Sequence, residues 1–162
     1  MSAATVKYLT AAETAKHVRS ALKQAFPTTK FSVRSDTYSL GASIRVRWTD
    51  GPTSSAVAAV VNRFQGADFD ALTDMSVPRP PIEVDGQSVR SGADHVFTTR
   101  TQSAEYRQHL HAIAETILGE PVDETKWYDQ VRGQYVTEWG TWRSATGYNL
   151  LSWLAEHVPA GN

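Results

Sequence analysis

The chain has 162 residues, 41% of them hydrophobic and 20% charged, and it contains no cysteine. That length suits one compact domain of roughly 100–150 residues with an extension, and the missing cysteines exclude a disulfide framework, a thiolate nucleophile and any Cys-based zinc site. The net charge of −1 hides an asymmetry: residues 1–66 carry nine Lys/Arg and three Asp/Glu (+6), and residues 67–162 carry seven and fourteen (−7).

Thr10-Ala11-Ala12-Glu13 has the form of a capping box, in which the hydroxyl and the carboxylate each satisfy an orphan backbone N–H. Ala15, Val18, Leu22 and Phe26 follow at helical spacing, and Pro27 ends the helix. Phe31 and Val33 then alternate with Lys30, Ser32 and Arg34, as Ile44, Val46 and Trp48 do with Ser43, Arg45 and Arg47. Period-two alternation predicts two half-buried strands, joined through Ser39-Leu40-Gly41-Ala42 as an antiparallel hairpin with a rather long tip. A second helix starts at Pro52 or Thr53, buries Val57, Val60, Val61 and Phe64, and places Gly66 at its C′ position.

Beyond Gly66 lie an acidic stretch, Asp68 to Asp74, and a proline-rich connector, Ser76 to Pro81, expected to be extended or mobile. His95 to Thr99 reads as a strand, with Ser88-Val89-Arg90 a weaker one. Ser103 caps a third helix carrying Tyr106, Leu110, Ile113, Ala114 and Ile117, and Gly119-Glu120-Pro121 stops it. Residues 122–162 are rich in aromatics, and Leu150, Leu151, Leu154 and Val158 predict one more amphipathic helix. The expected fold class is α+β: a small, mainly antiparallel sheet with the first three helices largely on one face, and an aromatic-rich helical C-terminal cap. The expected division is 1–120 for that domain and 121–162 for an extension packed on it.

The runs Lys30 to Ser35, Ser43 to Thr53 and Phe64 to Asp70, behind a helix ending Ala25-Phe26-Pro27, resemble the large polyvalent protein associated domain numbered twenty-nine in its series. The likeness covers about residues 10–75, with Gly92 to Phe97 as a continuation within a fainter match over 88–100. The resemblance implies an α+β module carried by phages, plasmids and other mobile elements, often inside very long polypeptides. Its implied setting is the protection of invading DNA or the countering of host defence. It supplies no catalytic residue.

Four groups of residues carry chemistry. With the apolar residues of the hairpin turned inward, Lys30, Arg34, Arg45 and Arg47 point outward together, and Tyr38 shares their parity. Cations beside an aromatic ring on a β-ribbon suit DNA or RNA, with Lys7, Lys16, Arg19 and Lys23 extending the field; the plain alternative is a solvated sheet face. Asp68, Asp70 and Asp74 form an oxygen-rich cluster, but without the roughly twelve-residue calcium-loop pattern, and Asp after a helix stop more often makes turns. Of the histidines, His109 and His111 stand two apart and cannot share a metal on a helix, and strand alternation separates Asp94 from His95. Trp127, Trp139 and Trp142 fit either a surface that docks a host or phage protein or the closing of a core.

No nucleophile elbow, phosphate-cradling glycine loop or metalloprotease motif is present. The expectation is a non-catalytic binding module without cofactor or resident metal. Its partner would be nucleic acid at the basic hairpin or, alternatively, a host protein at the acidic aromatic half. The first residues lack an apolar leader core, and no run reaches the about 20 apolar residues of a membrane span, so the expected location is cytoplasmic.

Overall fold

A computed structural model describes residues 5–122, 134–143 and 150–160, which form two compact units. Unit 1 comprises the described residues up to Trp48 together with Ser54–Arg100; unit 2 comprises Thr49–Thr53 and the described residues from Thr101 onward.

Unit 1 begins with a short strand, β1 (Lys7–Tyr8), and helix α1 (Ala11–Ala25). The capping box forms as its residue pattern requires: Thr10 N–H donates to Glu13 Oε2 at 2.8 Å, and Glu13 N–H donates to Thr10 Oγ1 at 3.2 Å. Ala15, Val18 and Leu22 are buried along one stripe. Strands β2 (Ser32–Tyr38) and β3 (Gly41–Thr49) pair antiparallel with Tyr38 opposite Gly41, so only Ser39 and Leu40 make the turn. The expected long tip is thus corrected to a tight one. Ladder bonds are made by backbone groups, so pairing continues through polar Asp36/Ser43 and Thr37/Ala42 after the apolar alternation has faded. Asp94 holds this end, its carboxylate accepting the Ala42 N–H at 3.0 Å.

Helix α2 (Ser54–Val61) runs into a 3₁₀ turn, Asn62–Phe64, and buries Val57, Val61 and Phe64. Gly66 is not the left-handed cap its position suggests. Its N–H donates to Ala93 O at 2.8 Å, and a Cβ there would also stand 2.8 Å from that oxygen, so close backbone approach explains the glycine. The acidic stretch and the connector form a hairpin, β4 (Ala67–Asp70) with β5 (Met75–Pro78). Strands β6 (Ile82–Val84) and β7 (Gln87–Arg90) pair antiparallel, and β1 joins β7 in parallel. Strand β8 (His95–Thr101) then lies beside β3, giving the order β2-β3-β8. Asp94 N–H donates to Ala42 O at one end and Asp50 N–H to Thr101 O at the other, so β8 runs in the direction of β3.

The core of unit 1 is the inner face of this sheet against the two helices: Val33, Ile44, Val46, Trp48 and Val96 meet Ala15, Val18 and Leu22 of α1 and Val57 and Val61 of α2. Burial on this scale contributes about 1.5–3 kcal/mol per large aliphatic side chain. Because both helices take the inner face, Arg34, Tyr38, Arg45 and Arg47 on the outer face are exposed, while Ser43 on the same face is buried.

Unit 2 contains α3 (Ala104–Leu118), a hairpin of β9 (Gln134–Thr137) and β10 (Gly140–Arg143), and α4 (Leu150–His157). Ser103 caps α3 by accepting the Tyr106 N–H at 3.0 Å, and Gly119 closes it in the left-handed conformation, φ 73°. Tyr106, Leu110, Ala114, Trp142, Leu150, Trp153, Leu154 and Val158 make a second core, in which the Tyr106 hydroxyl donates to Val158 O. The residues leading into α3 are tied by Asp50, whose carboxylate accepts the Ser103 N–H at 2.8 Å. Among the described residues no helix is long and apolar enough to cross a membrane.

Candidate nucleic-acid interface

The register of the hairpin settles which side chains share its outer face. Arg34 stands directly opposite Arg45, Ser32 opposite Arg47, Asp36 opposite Ser43 and Tyr38 opposite Gly41. Val33, Ile44 and Val46 point into the core, so pleating turns Arg34, Arg45 and Arg47 the other way, and all three are exposed. Tyr38 lies on the same face and is 48% exposed. Lys30 is exposed but precedes β2, outside the ladder.

Two features of this face were not anticipated. Asp36 is on it, and its carboxylate lies 3.3 Å from Arg45 Nε in a half-exposed ion pair. Phe97 is on it too. Val96 enters the core with Ile44 and Val46, so the next residue along β8 turns toward the side of Arg45 and Arg47, where Phe97 is 53% exposed. Its ring lies 5.8 Å from that of His95, two residues back on the same side. The signal was available in Val96-Phe97 itself, since adjacent apolar residues on a strand must face opposite ways. Among the described residues Arg34 and Arg47 make no ion pair, so the face carries two unneutralised guanidinium groups besides Arg45.

The cations of the first segment do not extend this field. Lys7 pairs with Glu13 at 3.9 Å, and Arg19 Nη2 donates to Val33 O at 2.6 Å. Lys16 and Lys23 ride on α1, which packs against the inner face of the sheet.

The acidic cluster resolves into separate structural roles. Arg79 grips Asp68, with Nε 2.8 Å from both carboxylate oxygens, and also donates to Asn62 O at 2.7 Å. Asp70 closes its own turn by accepting from Leu72 N–H and Thr73 Oγ1, each at 2.9 Å, and Asp74 takes a positive φ of 53° in that turn. Among the described residues no three His, Asp or Glu side chains converge as a metal site would need. The Arg79 guanidinium holds the Asp68 carboxyl below its usual range, and the Leu72 N–H and Thr73 hydroxyl do the same for Asp70. A carboxylate whose folded pKa is lowered stabilises the fold above its unfolded value of about 4 and loses that contribution as pH falls through the lowered value. Stability is therefore expected to decline as pH falls below the ordinary carboxylate value of about 4. Denaturant titrations should show a shallower acid limb for Asp68→Asn than for wild type; identical limbs would remove this ion pair from the acid response.

The tryptophans divide. Trp142 is 2% exposed in the core of unit 2, Trp139 is partly buried against that core, and Trp127 lies outside the described residues. His157 stacks on Trp153 at 4.1 Å, its Nδ1 2.8 Å from Trp153 O.

No curated protein and no solved structure matches the chain. The family model described as large polyvalent protein associated domain 29 matches residues 9–103, which takes in α1, the hairpin, α2 and all of β8. That match spans more than half of the 162 residues, and the chain accordingly belongs to the family of large polyvalent protein associated domain 29.

Proposed function

We propose that unit 1 is a non-catalytic accessory module of a phage- or plasmid-type element, and that it contacts nucleic acid on the outer face of its β2-β3-β8 sheet. The observation that carries this reading is the cross-strand pair of Arg34 and Arg45, directly opposed with Arg47 next along the same face. Like charges facing each other across a ladder destabilise it. The half-exposed Asp36–Arg45 ion pair offsets this only weakly, leaving Arg34 and Arg47 without an ion pair among the described residues. A phosphate backbone turns that cost into attraction by neutralising each guanidinium with release of counterions.

A second reading, a module that binds or inhibits a host protein through the C-terminal half, draws on exposed Val136 and partly exposed Trp139. The interior position of Trp142 removes one of its three rings, so it ranks second.

The test is the salt dependence of binding to duplex or single-stranded oligonucleotides by the full chain. Each phosphate neutralised on a duplex contributes about −0.9 to the slope of log K against log salt. The triple variant Arg34→Ala, Arg45→Ala, Arg47→Ala is expected to flatten that slope by about three units and to weaken binding uniformly across sequences. Wild-type affinity and slope in the triple variant would overturn the proposal. So would a chain that binds no nucleic acid at low salt.

A further inference from the structure

The outer face of the β2-β3-β8 sheet is not only basic. Phe97 is more than half exposed although it adjoins a core residue, and His95 lies beside it at 5.8 Å. Tyr38 stands on the opposite flanking strand, with its ring 3.4 Å from where a Gly41 Cβ would be. Arg45 and Arg47 lie on the central strand between those two strands, four and six residues beyond Gly41, the partner of Tyr38. With neighbouring strands about 4.8 Å apart, the aromatic-bearing strands flank the cationic one at about 10 Å from each other. A purely electrostatic grip on duplex phosphates needs no such rings, because a duplex keeps its base faces stacked inside. An exposed phenylalanine within reach of guanidinium groups is what an unpaired base can stack on while its phosphate is neutralised.

We infer that this face takes single-stranded nucleic acid, with bases stacked on Phe97 and Tyr38 and phosphates held by Arg34, Arg45 and Arg47. The inference rests on the nucleic-acid reading above and narrows it to unpaired strands. Two acids border this face: Asp36 disfavours close approach of a phosphate at the β2 end of Arg45, and the Asp94 carboxylate, 2.1 Å from where a Gly41 Cβ would be, does the same beside Tyr38. The strand is therefore drawn toward Arg47 and the Phe97 side.

The experiment compares fluorescence anisotropy of three labelled probes with the full chain: an oligo-dT strand, an oligo-U strand and a mixed-sequence DNA duplex. Each is longer than the roughly 4–16 nucleotides that a stacking face of this kind occupies. The expected result is tighter binding of the single strands than of the duplex. Phe97→Ala should weaken single-strand binding roughly fivefold to a hundredfold while leaving duplex binding and thermal unfolding unchanged, and Phe97→Trp should retain single-strand binding. Tighter binding of either oligo-dT or oligo-U satisfies the inference and says whether the ribose 2′-hydroxyl is read.

Equal affinity for strands and duplex, with no effect of Phe97→Ala but loss of binding in the triple arginine variant, would overturn the stacking inference and leave the broader reading standing. Absence of binding to all three probes overturns both. If Phe97→Ala lowers thermal stability together with binding, the ring is structural, and the inference fails unless Phe97→Trp restores binding.

Discussion

Gly92→Ala is expected to destabilise unit 1 by about 3–5 kcal/mol, combining overpacking against backbone with the loss of hydrogen bonds to the buried Thr14 hydroxyl. A Cβ at this position would lie 2.1 Å from Leu9 O, 2.5 Å from Thr10 C and 2.8 Å from Ala11 N. All three are backbone atoms at the start of α1, and none can rotate away as a side chain would. Leu9 is further held by its N–H donating to Arg90 O at 3.0 Å. Moving the segment aside breaks a second link: Gly92 N–H donates to Thr14 Oγ1 at 3.1 Å, and that hydroxyl in turn donates to Thr10 O at 2.9 Å. Thr14 is 0% exposed, so no water replaces either partner. Gly86 provides the contrast. It has φ 74° in open space, so Gly86→Ala should cost only the left-handed strain of about 1–2 kcal/mol. Denaturant unfolding of both variants measures the difference, and a Gly92→Ala protein as stable as Gly86→Ala would show that the backbones do not meet there.

Trp142→Ala is expected to lose about 3–5 kcal/mol of stability in unit 2, the range for removing a large buried aromatic. Its ring belongs to the cluster with Tyr106, Leu110, Trp153 and Leu154, and its strand pairs Trp142 with Tyr135 across β9–β10. A docking residue behaves differently: truncating an exposed ring lowers affinity for a partner and leaves unfolding nearly unchanged. Near-UV circular dichroism and thermal unfolding of the full chain separate the two. A wild-type melting curve for Trp142→Ala would return this residue to the surface. Trp139, partly buried against the same core, should show a smaller loss.

Within the β2-β3-β8 sheet, the side chains that test binding and those that test folding fall on opposite faces. Val46 is fully buried between Arg45 and Arg47, which are exposed. Arginine and Phe97 variants are therefore expected to change binding without lowering stability. Truncations of Ile44, Val46 or Phe64 would do the reverse, at about 2–5 kcal/mol each.

What the sequence by itself determined are the features whose physics spans a few residues. The capping box of α1 is a pair of hydrogen bonds between residues three apart, and the stripe Ala15, Val18, Leu22 follows from helical periodicity. The outward set Arg34, Arg45 and Arg47 follows from the two-residue period of strands. The Ser103 cap and the Gly119 stop of α3 are equally local. Strands β4 and β5 were illegible because nearly all their residues are exposed, leaving no alternation to read. Only the tertiary structure decided that β8, and with it the outward Phe97, lies beside the arginine-bearing strand, that Arg19 is drawn to Val33 O, and that Gly66 and Gly92 are glycines because other backbones pass close by. Those facts depend on residues brought together across 52 positions, as with Ala42 and Asp94, or 78, as with Thr14 and Gly92. No local pattern encodes such meetings: each segment's own propensities are satisfied without them, and they arise only when the shared core is packed.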